Sequence, residues 1–393
     1  MIEKRMLSNG RKQYRVQWRD GGRGSKQRVK CFDRHEDAVR FETEIRRRKQ
    51  LGELAVYEAS KVTLDEFARE WWKRYASTEL ARKTQERYAS IWDLHVLPRL
   101  GGLQLRQLTP GLVSEFQSEL RAKGVGEPTI RKTLALLQAV CREAVTWGRL
   151  GQNPVKPVRK RAVVRKRAVR PLTPETVERL RQAMSPRDAA LVSVLAYAGL
   201  RPGEALALTW GHVRERTILV EQAASYGEVK CTKTRATRSV RMLAPLKHDL
   251  AEHRIREGRP LPERFVFPAH NGRPWDDDDW ANWRNRVFRA ALKQAGLVDV
   301  RPYDLRHSFV SLLIAEGRSI VDVARQAGHS ATMALDTYGH VFDELDGAEK
   351  VNAEAAIWAA RKRRCYLGAT SERRVVARAR SESNVIPLFA GVS

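Results

Sequence analysis

The sequence predicts a multi-domain protein: a small α+β N-terminal unit, an all-α unit, and a mixed α+β unit that is mainly helical. Three observations carry this. The 393 residues exceed one ordinary domain of roughly 150 residues. The apolar period is 2 near the N-terminus and 3.6 through most of the remaining chain, with short strand-like runs returning once. A proline-bounded basic stretch at 151–171 separates two long helical regions.

Residues 1–57 form the first unit. KQYRVQWRD and KQRVKCF alternate apolar and polar residues, as half-buried strands do, and the glycines of DGGRGSK supply the turn between them. HEDAVRFETEIRRRKQLGEL is an amphipathic helix with Ala38, Phe41 and Ile45 on one side. Residues 61–150 read as four helices. Thr63 caps the first, with Glu66 completing a capping box. The second stops near Pro98 and Gly101. Thr109 caps the third, with Pro110 at its first position. The fourth carries the apolar stripe Ile130, Leu134, Leu137, Val140 and Val145, with Arg131 and Lys132 outside it. The 151–171 segment crowds Lys156, Arg159, Lys160, Arg161, Arg165, Lys166, Arg167 and Arg170 without one acid. It fits a linker.

Residues 172–345 form the largest unit. Helices are expected at LTPETVERLRQAM, PRDAALVSVLAYAGL, DDWANWRNRVFRAALKQAG, DLRHSFVSLLIAEG, SIVDVARQAG and around TMALDTYGHV. RTILVEQ, EVKCTKT and RSVRML read as short strands. Residues 346–393 begin helically, then turn basic and irregular, ending in the apolar NVIPLF.

Lys and Arg number 73 against 46 Asp and Glu, a net charge of +27. A chain this basic meets a polyanion, and nucleic acid is the commonest. The strand-turn-strand unit of 1–57 fits a sheet laid into a DNA major groove, or a folding cap. The basic linker fits a strap across a DNA backbone, or a solvated connection. Cys31, Cys141, Cys231 and Cys365 are far apart. That argues against a disulfide framework or a zinc site and for a reduced compartment. The N-terminal residues lack an apolar signal region, and no apolar run is long enough to span a membrane. A cytoplasmic location is expected.

A metal-free site for DNA strand transfer needs a nucleophile, guanidinium groups for the nonbridging phosphate oxygens, and a proton donor for the departing 5′ oxygen. Such residues occur in order. Arg201 follows a helix in YAGLRPGEALALTW; Lys233 lies on a hairpin in KCTKTRATRSVRM; Arg306 lies in YDLRHSF; His329 and Tyr338 lie in AGHSATMALDTYGHV. These stretches resemble the tyrosine recombinase (phage integrase) family. Its pattern is an Arg after a Gly-Leu turn, a hairpin Lys, a His-x-x-Arg box, a Gly-His, and a Tyr nine residues on. Here His329 and Tyr338 are nine apart, and Arg306 and His329 are 23 apart.

The resemblance covers 172–345; the 61–150 helices are similar to the family's core-binding domain and 1–57 to the arm-binding domain of its longer members. It implies that Tyr338 attacks the scissile phosphate, leaving a 3′-phosphotyrosyl link and a free 5′ hydroxyl. Arg201 and Arg306 would clamp the phosphate, Lys233 protonate the 5′ oxygen, His329 donate a hydrogen bond, and Glu204 buttress Arg201. No cofactor, metal or ATP is implied. The implied partners are double-stranded DNA at core and arm sites, three further protomers in a homotetramer, and a host DNA-bending or excision accessory protein.

One position departs from the pattern. The box begins with Tyr303, not His. A phenol with an ordinary pKa of ~10 is a poor base near neutral pH, though it still donates a hydrogen bond. The adjacent His307 is the weaker substitute, since neighbouring helical residues point about 100° apart. Lys230 competes with Lys233, because residues three apart on a strand face opposite ways. Rival readings are a metal-dependent nuclease built on Asp276–Asp279, a DNA-binding regulator without catalysis, and a type IB topoisomerase. The four Asp precede a helix, where they favour its dipole. The arm-like and core-binding segments favour site-specific recombination over the topoisomerase.

Overall fold

The computed structural model describes residues 2–7, 10–19, 27–161, 171–231, 237–345, 347 and 349–370. The chain divides into two compact units, Met1–Arg165 and Lys166–Ser393, and the division falls inside the basic segment.

The first unit opens with an antiparallel sheet ordered β1–β2–β3: β1 Ile2–Met6, β2 Lys12–Arg19 and β3 Gln27–Phe32. β1 is not among the expected strands, because IEKRM offers too little alternation to mark it. Pairing sets the faces. Val16 lies opposite Ile2 and Lys30, and Tyr14 opposite Phe32. This face receives the helix His35–Gln50, which buries Ala38 and Ile45 against it. Trp18 and Phe32 each meet Phe41 at 5.2 Å between ring centroids. The opposite face carries Arg5, Gln13, Arg15 and Gln17.

Four helical stretches follow. Thr63 caps the first, Leu64–Trp71, in a two-way capping box with Glu66. Thr109 caps Pro110–Ala122. The second stretch, from Arg82, runs through a π-helical segment at Trp92–Val96 and on to Leu100, so Pro98 lies inside its last turn. The helix therefore stops at Gly101 and not at the proline, since the π segment has already broken the i to i−4 ladder that a proline would disrupt. Phe67, Trp71, Val96, Leu100 and Phe116 pack with Ile130, Leu134, Leu137 and Val140 of the long Glu127–Thr146 helix. Val155 and Val158 join this core, and Asn153 donates to the Gln138 carbonyl at 2.8 Å. The first part of the expected linker is thus packed chain, because its two valines have apolar surface to cover.

The second unit is built around two buried helices, Pro186–Tyr197 and Pro302–Ala315. Four short strands form two antiparallel pairs: β4 Thr217–Val220 with β7 Arg238–Arg241, and β5 Gln222–Ser225 with β6 Glu228–Cys231. Asp276 caps the Asp277–Asn282 helix, in a capping box with Asp279. Arg273 pairs with both. The C-terminal helix, Ala353–Thr370, returns to the unit. Ile357 and Ala360 are fully buried, and Arg361 bonds Glu178 and Asp249 at 3.1 and 2.7 Å. No described helix is long and apolar enough to cross a membrane.

Candidate active site

Three short segments converge on the N-terminal part of the Pro302–Ala315 helix. The first is the turn at Gly199 and Leu200, leading to Arg201 and the Pro202–Leu206 helix. Gly199 has φ +60°, and a Cβ there would collide with the Phe309 ring. Only glycine fits, and its carbonyl is thereby turned to Arg306. The second is the end of the Ile320–Ala327 helix, closed by Gly328 at φ +63°, with the His329 amide returning to the Ala324 carbonyl at 2.9 Å. The third is the Ala331–Leu345 helix, which carries Tyr338.

Arg306 is fully buried. Its two terminal nitrogens donate to the carbonyls of Gly199 and Ala327, and Nη2 also lies 2.9 Å from His329 Nε2. Its Nε has no partner, and among the described residues no carboxylate pairs with it. Burial first, then the charge of Arg201, brings its pKa down to about 10, still cationic at neutral pH. A buried cation held by neutral acceptors alone is an incomplete pair, and an anion would complete it.

His329 shares this character. An arginine nitrogen can only donate, so His329 Nε2 accepts and the hydrogen of the neutral ring sits on Nδ1. Nδ1 is buried without a partner. Burial, with Arg306 and Arg201 close by, holds the imidazole down at about 3. The ring is therefore a neutral donor with its N–H unused.

Arg201 bonds Glu204 Oε1 at 2.8 Å and the Gly328 carbonyl at 2.6 Å. Glu204 in turn is held by Arg238 of β7 through both oxygens, at 2.9 and 2.6 Å. Burial alone would raise the Glu204 carboxyl. The hydrogen bonds and charge of Arg238, with Arg201, outweigh it and hold the value at about 2. Sequence reasoning misses Arg238. No local signal pairs it with a carboxylate 34 residues earlier.

Tyr338 is fully buried. Its hydroxyl lies 2.6 Å from His307 Nδ1, and its ring stacks at 6.5 Å on His329. Burial raises the phenol above its ordinary pKa, against the opposing pull of Arg306. Tyr303 is 41% exposed and meets the His307 ring edge-on at 5.3 Å. Although it neighbours Arg306 on one helix, His307 reaches the Tyr338 hydroxyl. The 100° offset that separates it from Arg306 is what turns it to the Tyr338 helix. Lys233 lies outside the described residues. Lys230, on β6, is exposed and paired with Glu228 at 2.7 Å.

The site thus gathers Arg201, Arg306, His329 and Tyr338, with Tyr303 beside His307. Comparisons with known proteins supply the family. Residues 170–344 match the phage integrase family, and residues 63–121 match the phage integrase N-terminal SAM-like domain. A putative prophage phiRv2 integrase of Mycobacterium tuberculosis is 27% identical over 286 residues, which are 70% of this chain and 73% of that protein. An integrase of Streptomyces ambofaciens is 27% identical over 290 residues, 67% of this chain and 73% of its own. The Tn1549 transposon integrase in complex with a circular intermediate DNA has the same fold at 21% identity, with a TM-score of 0.58 over 70% of this chain and 95% of that one. So does a lambda integrase tetramer bound to a Holliday junction, at 18% identity and a TM-score of 0.55 over 84% and 94%. The chain belongs to the phage integrase family and is a tyrosine-type site-specific recombinase.

Proposed function

We propose that the protein recombines double-stranded DNA at specific sites through a covalent 3′-phosphotyrosyl intermediate on Tyr338. The observation that carries this is the pair of unused buried donors, Arg306 Nε and His329 Nδ1, in the same cluster as the Tyr338 hydroxyl. Each unmet buried donor costs about 1–3 kcal/mol. A phosphate entering between Arg201, Arg306 and His329 supplies oxygens to both and the missing anion to Arg306. In-line attack by Tyr338 Oη then expels the 5′ oxygen, and Lys233 is assigned as its proton donor. Because Tyr338 is enclosed, attack also requires the cluster to open to the phosphate as DNA enters, with the Tyr338–His307 contact kept. Four cationic or donor side chains offset the developing charge that a metal would otherwise neutralise, so no cofactor or ATP is assigned. The bond energy stays in the phosphotyrosine.

By likeness to the lambda integrase tetramer bound to a Holliday junction, four protomers are assigned to the synapse. The basic outer face of the β1–β3 sheet is assigned to arm-type DNA and the 61–150 helices to core DNA.

The test is a DNA duplex nicked beside the scissile phosphate, which traps the cleaved strand on protein. An SDS-stable adduct is expected in EDTA, and none with Tyr338→Phe, whose gel-shift affinity stays at wild-type level. An adduct with the Phe variant would remove Tyr338 as nucleophile. An adduct lost on chelation and restored by Mg²⁺ would revive the nuclease reading.

A further inference from the structure

The family pattern places a histidine where this chain has Tyr303, so the proton acceptor for the nucleophile must be found elsewhere. Candidates are the titratable groups around Tyr338. Tyr303 is itself a phenol and no better an acceptor than the group it would deprotonate. His329 has spent its acceptor nitrogen, Nε2, on Arg306, and its remaining nitrogen is the Nδ1–H donor. His307 is left, and its Nδ1 lies 2.6 Å from Oη.

We propose that His307 is the general base of the reaction: its Nδ1 takes the Tyr338 hydroxyl proton as Oη attacks the scissile phosphorus. This rests on the assignment of Tyr338 as nucleophile. The step balances. The Tyr338 O–H bond breaks and its proton moves to Nδ1, while the Oη–P bond forms. The P–O5′ bond breaks with its electron pair leaving on the 5′ oxygen, which takes a proton from the acid assigned to Lys233. In rejoining, an incoming 5′ hydroxyl attacks phosphorus and gives its proton back to the group assigned as acid, Lys233, while the Oη–P bond breaks and the His307 imidazolium returns its proton to Tyr338.

The surroundings of His307 tie this transfer to bound DNA. Among the described residues, the titratable groups seen against it include Tyr303 from its own helix, Tyr338 from the next, and His329 from the turn between Gly328 and Ser330, and buried Arg306 is its chain neighbour. A second positive charge beside buried Arg306 is unfavourable until a negative phosphate sits in the cluster. The base therefore accepts its proton when substrate is present, and the buried phenol is not ionised idly. The raised pKa of Tyr338 makes such assistance necessary, since little phenolate forms unaided near neutral pH.

The test is single-turnover cleavage of the nicked suicide duplex from pH 5.5 to 9. Wild type is expected to accelerate with pH through the imidazole range and then level. His307→Gln keeps a hydrogen-bonding group near Oη but cannot take a proton. It is expected to cleave about 10²- to 10⁴-fold more slowly, without that acid limb. His307→Ala is expected to regain part of its rate with added imidazole, in proportion to the free base. Thermal melting and gel-shift affinity at wild-type level establish that both variants fold and bind. A Gln variant with wild-type rate and profile overturns the proposal. So do slow variants that keep the wild-type pH limb and ignore imidazole, which would make His307 a positioning residue. Failure of the nucleophile assignment is seen separately, as adducts that persist in Tyr338→Phe.

Discussion

Arg238 grips Glu204 through both terminal guanidinium nitrogens, at 2.9 and 2.6 Å, and the same carboxylate holds Arg201 at 2.8 Å. One buried acid therefore positions the arginine that follows the Gly199 turn and ties β7 to it. Arg238 also donates through Nε to the Gln326 carbonyl at 3.0 Å, just before the turn that carries His329. The clamp thus joins the Arg201 and His329 segments.

Replacing Glu204 with Gln should destabilise the second unit and disorder Arg201. Breaking a buried pair by removing one charge costs about 3–5 kcal/mol. At roughly 2–4 °C per kcal/mol for a unit of this size, melting should fall by about 6–20 °C. The pH sign follows from the value of about 2 for the folded carboxyl, below the ordinary glutamate range. Its contribution is complete above about pH 4.3 and is lost as pH falls toward 2. Calorimetry from pH 7 to pH 3 measures both. A variant with unchanged melting and acid sensitivity would show that the clamp contributes nothing.

His329 provides a second acid-sensitive term at higher pH. Its folded value of about 3 lies below the ordinary imidazole value of about 6.5. The unfolded chain therefore takes up the proton first on acidification. The contribution is full above about pH 6.5 and declines as pH falls toward 3. The slope must stay below the one-proton ceiling of about 1.4 kcal/mol per pH unit, and solvent screening reduces it further. His329→Gln should melt with a shallower dependence between pH 6.5 and 5. Equal slopes in the two proteins would mean that His329 charges normally in the folded state.

Much of this site was legible in the sequence because its residues sit at turns with local signatures. Arg201 follows Gly199-Leu200, and His329 follows Gly328, where backbone geometry demands glycine. Thr63 with Glu66, and Thr109, were legible as caps for the same reason, since a cap is decided within four residues. What the sequence hid was long-range pairing. Nothing local tells that Arg238 meets Glu204, or that His307 turns to Tyr338 across 31 residues. Val155 and Val158 were obscured by the basic residues around them, although the helical core had room for both.

Removing residues 1–57 should weaken binding to an arm-type duplex more than to a core duplex. The sheet face away from its helix carries Arg5 and Arg15 beside Gln13 and Gln17. The truncation also removes Arg28, which pairs at 3.2 Å with buried Glu58, but Lys61 remains paired with that carboxylate at 2.5 Å. A folding defect should therefore be small. In the full chain, Arg5→Ala with Arg15→Ala should lower the salt dependence of arm binding by about one to two units of slope, near 0.9 per phosphate contact. Gel shifts over a salt series decide it. Equal losses on both duplexes would make this unit a folding cap.

Tyr303 offers the sharpest separation between the two residues that flank the nucleophile's proton. It is 41% exposed, one helical turn before His307, and touches that ring edge-on at 5.3 Å. A tyrosine this exposed beside the cluster is assigned to meet a phosphate oxygen, whereas His307 meets Tyr338. Tyr303→Phe keeps the ring contact and removes only the hydroxyl. A hydrogen bond to a charged group contributes about 1.5–3 kcal/mol. At about 1.4 kcal/mol per decade, cleavage should slow by roughly 10- to 150-fold. The loss should be uniform with pH, because the Phe variant leaves the His307 base in place. Tyr303→His should keep or raise the rate, since it supplies a donor at the rim and a second imidazole next to the first. Single-turnover cleavage from pH 6 to 9 reads both variants. A Phe variant equal to wild type throughout would reduce Tyr303 to packing. One whose acid limb vanished would transfer the base from His307 to Tyr303.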